Sequence, residues 1–519
     1  MTPRSPGRGF FVALLMGISG QGHSQDDFED LFATEEGVSE APAALPAETG
    51  ASGTGASLAG GHEAQAATPS HKQAAGEMAP PVPALGHELG GESAGIEDFL
   101  SGEAPEEVAA SGVTLSGFVQ NEFAYTWPDD SHLSKFKNVA KVRLRGEFSE
   151  KVSFQLGGHL QYDPVYEFET YYPDVVEDDQ KLWGYVDETY IDIDNGSWDL
   201  RVGRQHIIWG EMVGLFFADV VSALDLREFV LPDFDLIRIP QWAARAEYFG
   251  DDFKAEWVYI PYMTVDNLGK PGAEFFSFPA TLPAGLAVSF NEDKAPNDPG
   301  KDFGAGARGS WLIDSWDLSL FYYTSPDKTA AYARNLVLPV APGEAARLVF
   351  QPEHERIHQL GATVAKDFGA LVFKAEAVQT FERLISTTDP QDADGLADTG
   401  ELRYVAGLDW VGETGHRVNV QFFQTWLQDP DPGLIFNTVE SGASILLTSD
   451  ALHPDITPEI LWIRSLDRDE WLLETKLTWE FATDWRGVLG ADVFGGPPNR
   501  LLGQFDASDR VYWEFRHSF

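Results

Sequence analysis

Residues 140–162 read A-K-V-R-L-R-G-E-F-S-E-K-V-S-F-Q-L-G-G-H-L-Q-Y. Ala140, Val142, Leu144, Gly146 and Phe148 alternate with Lys141, Arg143, Arg145 and Glu147. The alternation then resumes, with Val152, Phe154, Leu156, Leu160 and Tyr162 set against Ser153, Gln155, His159 and Gln161. A period of two describes a strand with one apolar and one polar face. Phe148-Ser149-Glu150-Lys151-Val152 between the two runs is a tight turn. Upstream, Val113, Leu115, Val119, Phe123 and Tyr125 alternate with Thr114, Ser116, Gln120 and Glu122 in the same way.

The turn recurs. Ile193 to Trp198, Phe249 to Phe253, Ile313 to Trp316, Ala365 to Phe368, Val411 to Gly415 and Ala482 to Trp485 bring the tight turns to seven. Their Asp, Asn, Gly and Ser residues are those that hairpin loops require. Long excursions over 210–239, 263–301, 325–353 and 429–468 lie between them. Short turns on one side and long loops on the other are the asymmetry of a transmembrane antiparallel β-barrel. A soluble sandwich or propeller accounts for the alternation but not for that asymmetry. Seven turns join fourteen strands, and a first strand near 113–126 and a last near 508–519 bring the expected barrel, over 113–519, to about sixteen. The short turns are then periplasmic and the long loops extracellular.

Composition narrows the alternatives. Asp+Glu number 82 against Lys+Arg 36, a net charge of -46, so no basic footprint for nucleic acid exists. The absence of cysteine removes disulfide scaffolds, thiolate zinc sites and thiol nucleophiles. No apolar run of ~18 residues follows the N-terminus, which excludes a helical membrane bundle and leaves strands of ~9–11 residues as the means of crossing.

Arg4 and Arg8, the apolar run Phe10 to Ile18, and Gly22 and Ser24 at cleavage-site spacing make residues 1–24 an expected signal peptide. Residues 25–112 follow as an acidic, Ala-, Gly- and Pro-rich periplasmic tether, too poor in large apolar side chains to fold alone. Two short motifs bracket it, Phe28-Glu29-Asp30-Leu31-Phe32 and Ile96-Glu97-Asp98-Phe99-Leu100. One reading takes Phe28, Leu31, Phe32, Ile96, Phe99 and Leu100 as docking residues for a periplasmic partner. The other takes the similarity as chance in acidic sequence, or as segments that fold back on the barrel.

Parity assigns the wall. If Ala140, Val142 and Leu144 face lipid, then Lys141, Arg143 and Arg145 face the lumen. The same reasoning turns Arg201, Arg245 and Arg403 inward. Arg204 has the opposite parity, but a bulge at Gly203 would turn it in as well. Isolated charges facing lipid cost ~2–4 kcal/mol at the midplane, so the lumen is where they belong. The stretch 210–239 is too apolar for an extended surface loop, with Val213, Leu215, Phe216, Phe217, Val220, Val221, Leu224, Leu226 and Phe229. Folded inward as a constriction, it would set Glu211, Asp219, Asp225, Glu228 and Asp233 against the luminal arginines, a selectivity device built from side-chain charge. Packed outward, it would instead meet neighbouring loops or another protomer.

Trp198 to Glu211, W-D-L-R-V-G-R-Q-H-I-I-W-G-E, followed by Asp219-Val220-Val221-Ser222-Ala223-Leu224-Asp225, resembles an uncharacterised family of proteobacterial outer-membrane barrels often encoded beside RND-type exporters. More distantly it is similar to alginate-export porins, although the proline of their second segment is absent. The resemblance implies passage of a solute or secreted product through the bacterial outer membrane. Phe519, on a strand that alternates Phe515, Trp513 and Val511 with Arg516, Glu514 and Tyr512, resembles the C-terminal signal read by the barrel-assembly machinery; His517 departs from the usual apolar residue.

Two enzyme signatures compete. His354-Glu355-Arg356-Ile357-His358 matches the H-E-x-x-H pattern of zinc hydrolases, with Glu376 downstream as a third ligand. That chemistry needs a helix, because on a strand the two histidines stand ~13 Å apart, and the flanking residues read as strand. Gly304-Ala305-Gly306-Ala307-Arg308-Gly309 matches G-x-G-x-x-G without the strand-to-helix setting that a dinucleotide needs. The expectation is therefore a non-enzymatic outer-membrane channel without cofactor or metal. The alternatives are a barrel anchor that recruits a periplasmic or RND-type transport partner through its tether and, more remotely, the zinc hydrolase. The expected partners are outer-membrane lipid and the assembly machinery, with a homotrimer left open and nucleic acid excluded.

Overall fold

A computed structural model of the chain describes residues 112–127, 131–210, 212, 218–276, 287–339, 346–387, 389, 392–428 and 437–519. The chain divides into two units, Met1–Ala84 and Leu85–Phe519. The first lies wholly outside the described residues, as do both five-residue motifs, 28–32 and 96–100.

The described residues close into an antiparallel barrel of eighteen staves. The first nine are Thr114–Thr126, His132–Ser149, Val152–Tyr162, a split stave (Leu182–Val186 with Thr189–Asp194), Trp198–Gln205, Gln241–Phe249, Phe253–Tyr262, Gly304–Ile313 and Trp316–Pro326. The others are Arg356–Asp367, Leu371–Ser386, Leu396–Val411, His416–Gln428, Val439–Ser449, Ile456–Ser465, Trp471–Ala482, Trp485–Gly495 and Arg510–Ser518. The last pairs back onto the first, from Phe118 opposite Ser518 to Thr126 opposite Arg510. Phe519 and Gly117 then exchange backbone hydrogen bonds of 2.9 Å each way, which seals the seam.

The expected count of sixteen is corrected to eighteen. The excursion 429–468 contains a hairpin, Val439–Ser449 with Ile456–Ser465. Its strands hide because Pro458 interrupts the second, and because its turn, 450–455, is longer than the tight turns around it. Elsewhere the turns follow local chemistry. Asp314 and Ser315 both take positive φ (49° and 62°), the two-residue geometry that matches strand twist. Asp194 accepts from the backbone of Gly196 at 2.7 Å, where φ is 75°.

The two faces of the sheet differ as the alternation requires. Leu156, Leu160, Trp242, Trp257 and Leu320 stand exposed on the outside. Gln120, Lys141, Gln155, Glu247 and Asp409 are buried on the inside. Among the described residues, no helix is long and apolar enough to cross a membrane. The inner face also holds an apolar cluster, in which Ala243, Val258, Ile260, Phe321, Tyr323 and Val378 of the wall pack with Ile207, Trp209, Ala218, Val220 and Val221 of the segment 206–240.

Candidate functional site

The segment 206–240 is turned inward by its root. Gly203 has φ 141°, and a Cβ there would meet Thr189 O at 2.3 Å, so only glycine fits. Gln205, fully buried, donates through Nε2 to Ala243 O at 3.2 Å. Ser222 closes the base, accepting from Ile207 N at 3.2 Å and donating to Ile207 O at 2.9 Å. Trp209, also fully buried, donates through Nε1 to Glu256 at 3.0 Å and lies against Phe321 and Tyr323.

Beyond the root, side chains of the wall and of the neighbouring loops hold the segment by its backbone. Glu376 accepts from Met212 N at 2.9 Å and from Ala218 N at 3.0 Å. Lys328 donates to the carbonyls of Asp219 (3.1 Å) and Ser222, and Asp266 accepts from Leu224 N at 2.9 Å. Arg238 donates to Asp219 at 2.8 Å, and Asp225 takes both arms of Arg227 at 2.8 and 2.6 Å.

Two carboxylates then reach the staves around the seam. Glu228 accepts from Lys137 at 2.6 Å and from Lys135, with Arg510 at 3.3 Å. Asp233 meets Lys476 at 2.7 Å, Arg486 at 3.4 Å and Arg516 at 3.6 Å. Burial alone would raise both carboxyls, but three cations around each outweigh it and hold them below the usual carboxylate range. Phe229 and Leu231 pack nearby on Phe275, Leu472, Phe494 and Phe505. The segment thus spans from its root at Trp198–Gln205 to the staves beside the seam.

The cations singled out by parity have other partners. Lys141 meets Asp187 at 3.2 Å, Arg145 donates to Gln155 at 3.0 Å, and Arg143 is half-buried at the same parity. Arg201 donates to Asp192 at 2.6 Å and lies 4.2 Å over the Tyr190 ring. Arg245 pairs with Glu247 (2.5 Å) and Glu256 (3.3 Å), and Arg403 stands 3.8 Å from Glu401. Arg204 donates to Pro240 O at 3.1 Å and stacks on Tyr185. Glu211 lies outside the described residues. The residues that face Glu228 and Asp233, namely Lys135, Lys137, Lys476, Arg486, Arg510 and Arg516, were not singled out. Lys135 and Lys137 share the odd parity of Lys141, and that signal was there to read.

The zinc pattern comes apart. His354 precedes the stave Arg356–Asp367 and bonds Asp327 O (2.7 Å) and Asp293 (2.8 Å), whereas His358 bonds Tyr322 (2.7 Å). Glu376 is occupied by the two loop amides. The glycine-rich stretch is stave wall, where Gly306 makes room for Trp209, since a Cβ would fall 2.8 Å from the indole.

A family model described as a protein of unknown function, DUF1302, matches residues 129–428. The chain belongs to that family. The DUF1302 match runs from the second stave to the end of the thirteenth and includes the whole inward segment. No curated protein matches the chain. Among solved structures, the DUF1302 chain is similar to OccAB1 of Acinetobacter baumannii, at 12% identity over 80% of this chain and 99% of that one, with a TM-score of 0.50. It is also similar to OccK8 (OprE) of Pseudomonas aeruginosa, at 11% identity over 79% and 99%, with a TM-score of 0.47. The likeness to OccAB1 is one of fold, a closed porin-like barrel.

Proposed function

We propose that the chain is an outer-membrane channel that passes a solute or secreted product, with the segment 206–240 as its constriction. The observation that carries this reading is the pair of carboxylates, Glu228 and Asp233, that the segment presents to six cations on the wall. Those pairs are closed contacts, so they clamp the segment against the wall and narrow the lumen from that side, and whatever passes does so along the segment's other side. A wall of eighteen strands encloses more space than its own side chains fill. The exposed outward Leu and Trp residues suit a hydrocarbon surface and would be poorly hidden in water. In this reading, residues 1–24 export the chain and residues 25–112 hang on the periplasmic side.

The test is single-channel recording of the full chain in a planar bilayer. Steady conductance that changes with Arg143→Ala or Arg201→Ala supports an open, charge-lined lumen. A folded barrel that never conducts overturns the channel and favours a membrane anchor.

A further inference from the structure

A cavity of about 50 Å³ lies between the inward segment and the second and third staves, His132–Ser149 and Val152–Tyr162. It has room for roughly three to five waters, or for one polyol of about three carbons. Ser134 and His159 line it from the wall, and Gln180 lines it from the short helix Asp174–Gln180. Ser134 and His159 are more than nine-tenths buried, at 8% and 6% exposure. Among the described residues, Ser134 Oγ, both ring nitrogens of His159 and Gln180 Nε2 are buried with no hydrogen-bond partner. Tyr166 donates to Gln180 Oε1 at 2.7 Å, so the oxygen of that amide is taken and its nitrogen is not. His159 lies flat on Tyr185, ring centres 4.7 Å apart, which fixes the imidazole without satisfying it. Buried polar groups in folded proteins nearly always find a partner, and the cavity is the space that these three side chains share.

The charges around the cavity are already engaged. Asp163, Asp225, Glu228 and Glu274 balance Lys135, Lys137, Arg227 and Arg510, four acids against four bases. Glu228 is held by Lys135, Lys137 and Arg510, and Asp225 by Arg227. Glu274 accepts from Thr126 at 2.8 Å and Tyr172 at 3.0 Å, and Asp163 from the backbone N–H groups of Phe136 and Val165 at 3.0 Å each. What the three side chains offer is mixed. A hydroxyl donates and accepts, a neutral imidazole has one nitrogen of each kind, and an amide nitrogen donates. A carboxylate would only accept and an ammonium only donate, and either would bring an unpaired charge into a balanced lining. A neutral molecule with several hydroxyls answers all three.

We infer that this cavity is a binding site for a small neutral polyol of glycerol size, bonded by Ser134, His159 and Gln180. The site goes beyond the channel reading. It sits beside Glu228 on the clamped side of the segment, off the path that a passing solute would take.

The test is equilibrium dialysis of radiolabelled glycerol against the full chain in glycerol-free detergent micelles, beside glycerate and serinol, its anionic and cationic analogues of the same length. Saturable binding of glycerol at one equivalent is expected, with each charged analogue about tenfold or more weaker. Ser134→Ala and His159→Leu should each weaken glycerol about two- to tenfold, the loss that goes with one hydrogen bond. Both variants should keep the heat-modifiable migration of wild type. If His159→Leu disturbs the stack on Tyr185, Ser134→Ala still decides, since it removes a single oxygen from a stave held by backbone pairing on both sides. Absence of saturable binding means that water alone fills the cavity and overturns the site. Binding that neither variant weakens, or that the charged analogues match, overturns it as well. Binding by a chain that never conducts in a bilayer supports the site and fails the channel. Conductance without binding does the reverse.

Discussion

Lys476 Nζ lies 2.7 Å from Asp233 Oδ1 across 243 residues of sequence, so the inward segment is fastened to the wall at a point far from its root. Asp233 is also shared by Arg486 at 3.4 Å and Arg516 at 3.6 Å. Removing its charge takes away the anion that the three cations share, leaving Lys476 to the charges of Glu459 and Glu514. Breaking a buried pair costs ~3–5 kcal/mol, and the partial exposure of this cluster puts the expected loss at the lower end or below it. Asp233→Asn should therefore loosen the segment without opening the barrel. In single-channel records the variant is expected to show larger or noisier conductance than wild type, and Asp233→Asn with Glu228→Gln more so. Records indistinguishable from wild type would mean that the segment does not limit the current.

Acidification should act on the same two groups. Glu228 and Asp233 have docked values below their free ones. The stability they contribute is therefore fully present above the free carboxyl value, ~4. It is lost as pH falls through that value toward the docked ones. Conductance of the wild type should rise or flicker below about pH 4, as these two groups take up protons. The Glu228→Gln, Asp233→Asn double variant should lack that transition, and a transition of the same size in it would assign the effect to other carboxylates.

The barrel was legible from residues 140–162 and their repeats because alternation and turn chemistry are local properties. The count of eighteen was not, because Pro458 breaks the pattern of a strand that pairing with the next strand, Trp471–Ala482, nevertheless holds in place. The inward segment was legible from its apolar content, since Val220 and Val221 need a wall to cover them. Its partners were not. Parity states which face a cation occupies but not its height along the stave, and height decides that Lys137 meets Glu228 while Lys141 meets Asp187. Arg245 illustrates the same limit, because its cross-strand neighbour Glu256 lies closer than any loop carboxylate that sequence alone could nominate.

Metal removal should leave the protein unchanged. His354 spends both ring nitrogens on Asp327 O and Asp293, and burial of the ring is outweighed by those acceptors, which raise its pKa and favour the proton over a metal. Among the described residues, no group of three or more His, Asp or Glu side chains is placed to hold an ion. Prolonged EDTA treatment is expected to leave thermal unfolding and conductance as they were. Zinc retained at one equivalent through purification, and lost with His354→Ala, would reinstate the hydrolase.

Trp209 is where the apolar and polar fastenings of the segment meet. It is fully buried, gives its indole N–H to Glu256, and occupies the space left by Gly306. Trp209→Ala removes a large buried side chain, a change that costs ~3–5 kcal/mol in a well-packed core. The staves pair through backbone hydrogen bonds and do not depend on this ring, so the loss should fall on the docking of the segment. Limited proteolysis should therefore cut Trp209→Ala within 206–240 under conditions that leave wild type intact, while heat-modifiable migration shows the barrel still closed. Gly306→Val approaches the same point from the wall, where its side chain would collide with the indole and with Tyr322 O at 2.7 Å. It should give the same proteolytic pattern with Trp209 in place. If Trp209→Ala unfolds the barrel instead, the ring belongs to the wall's own core and the segment is held by its charges alone.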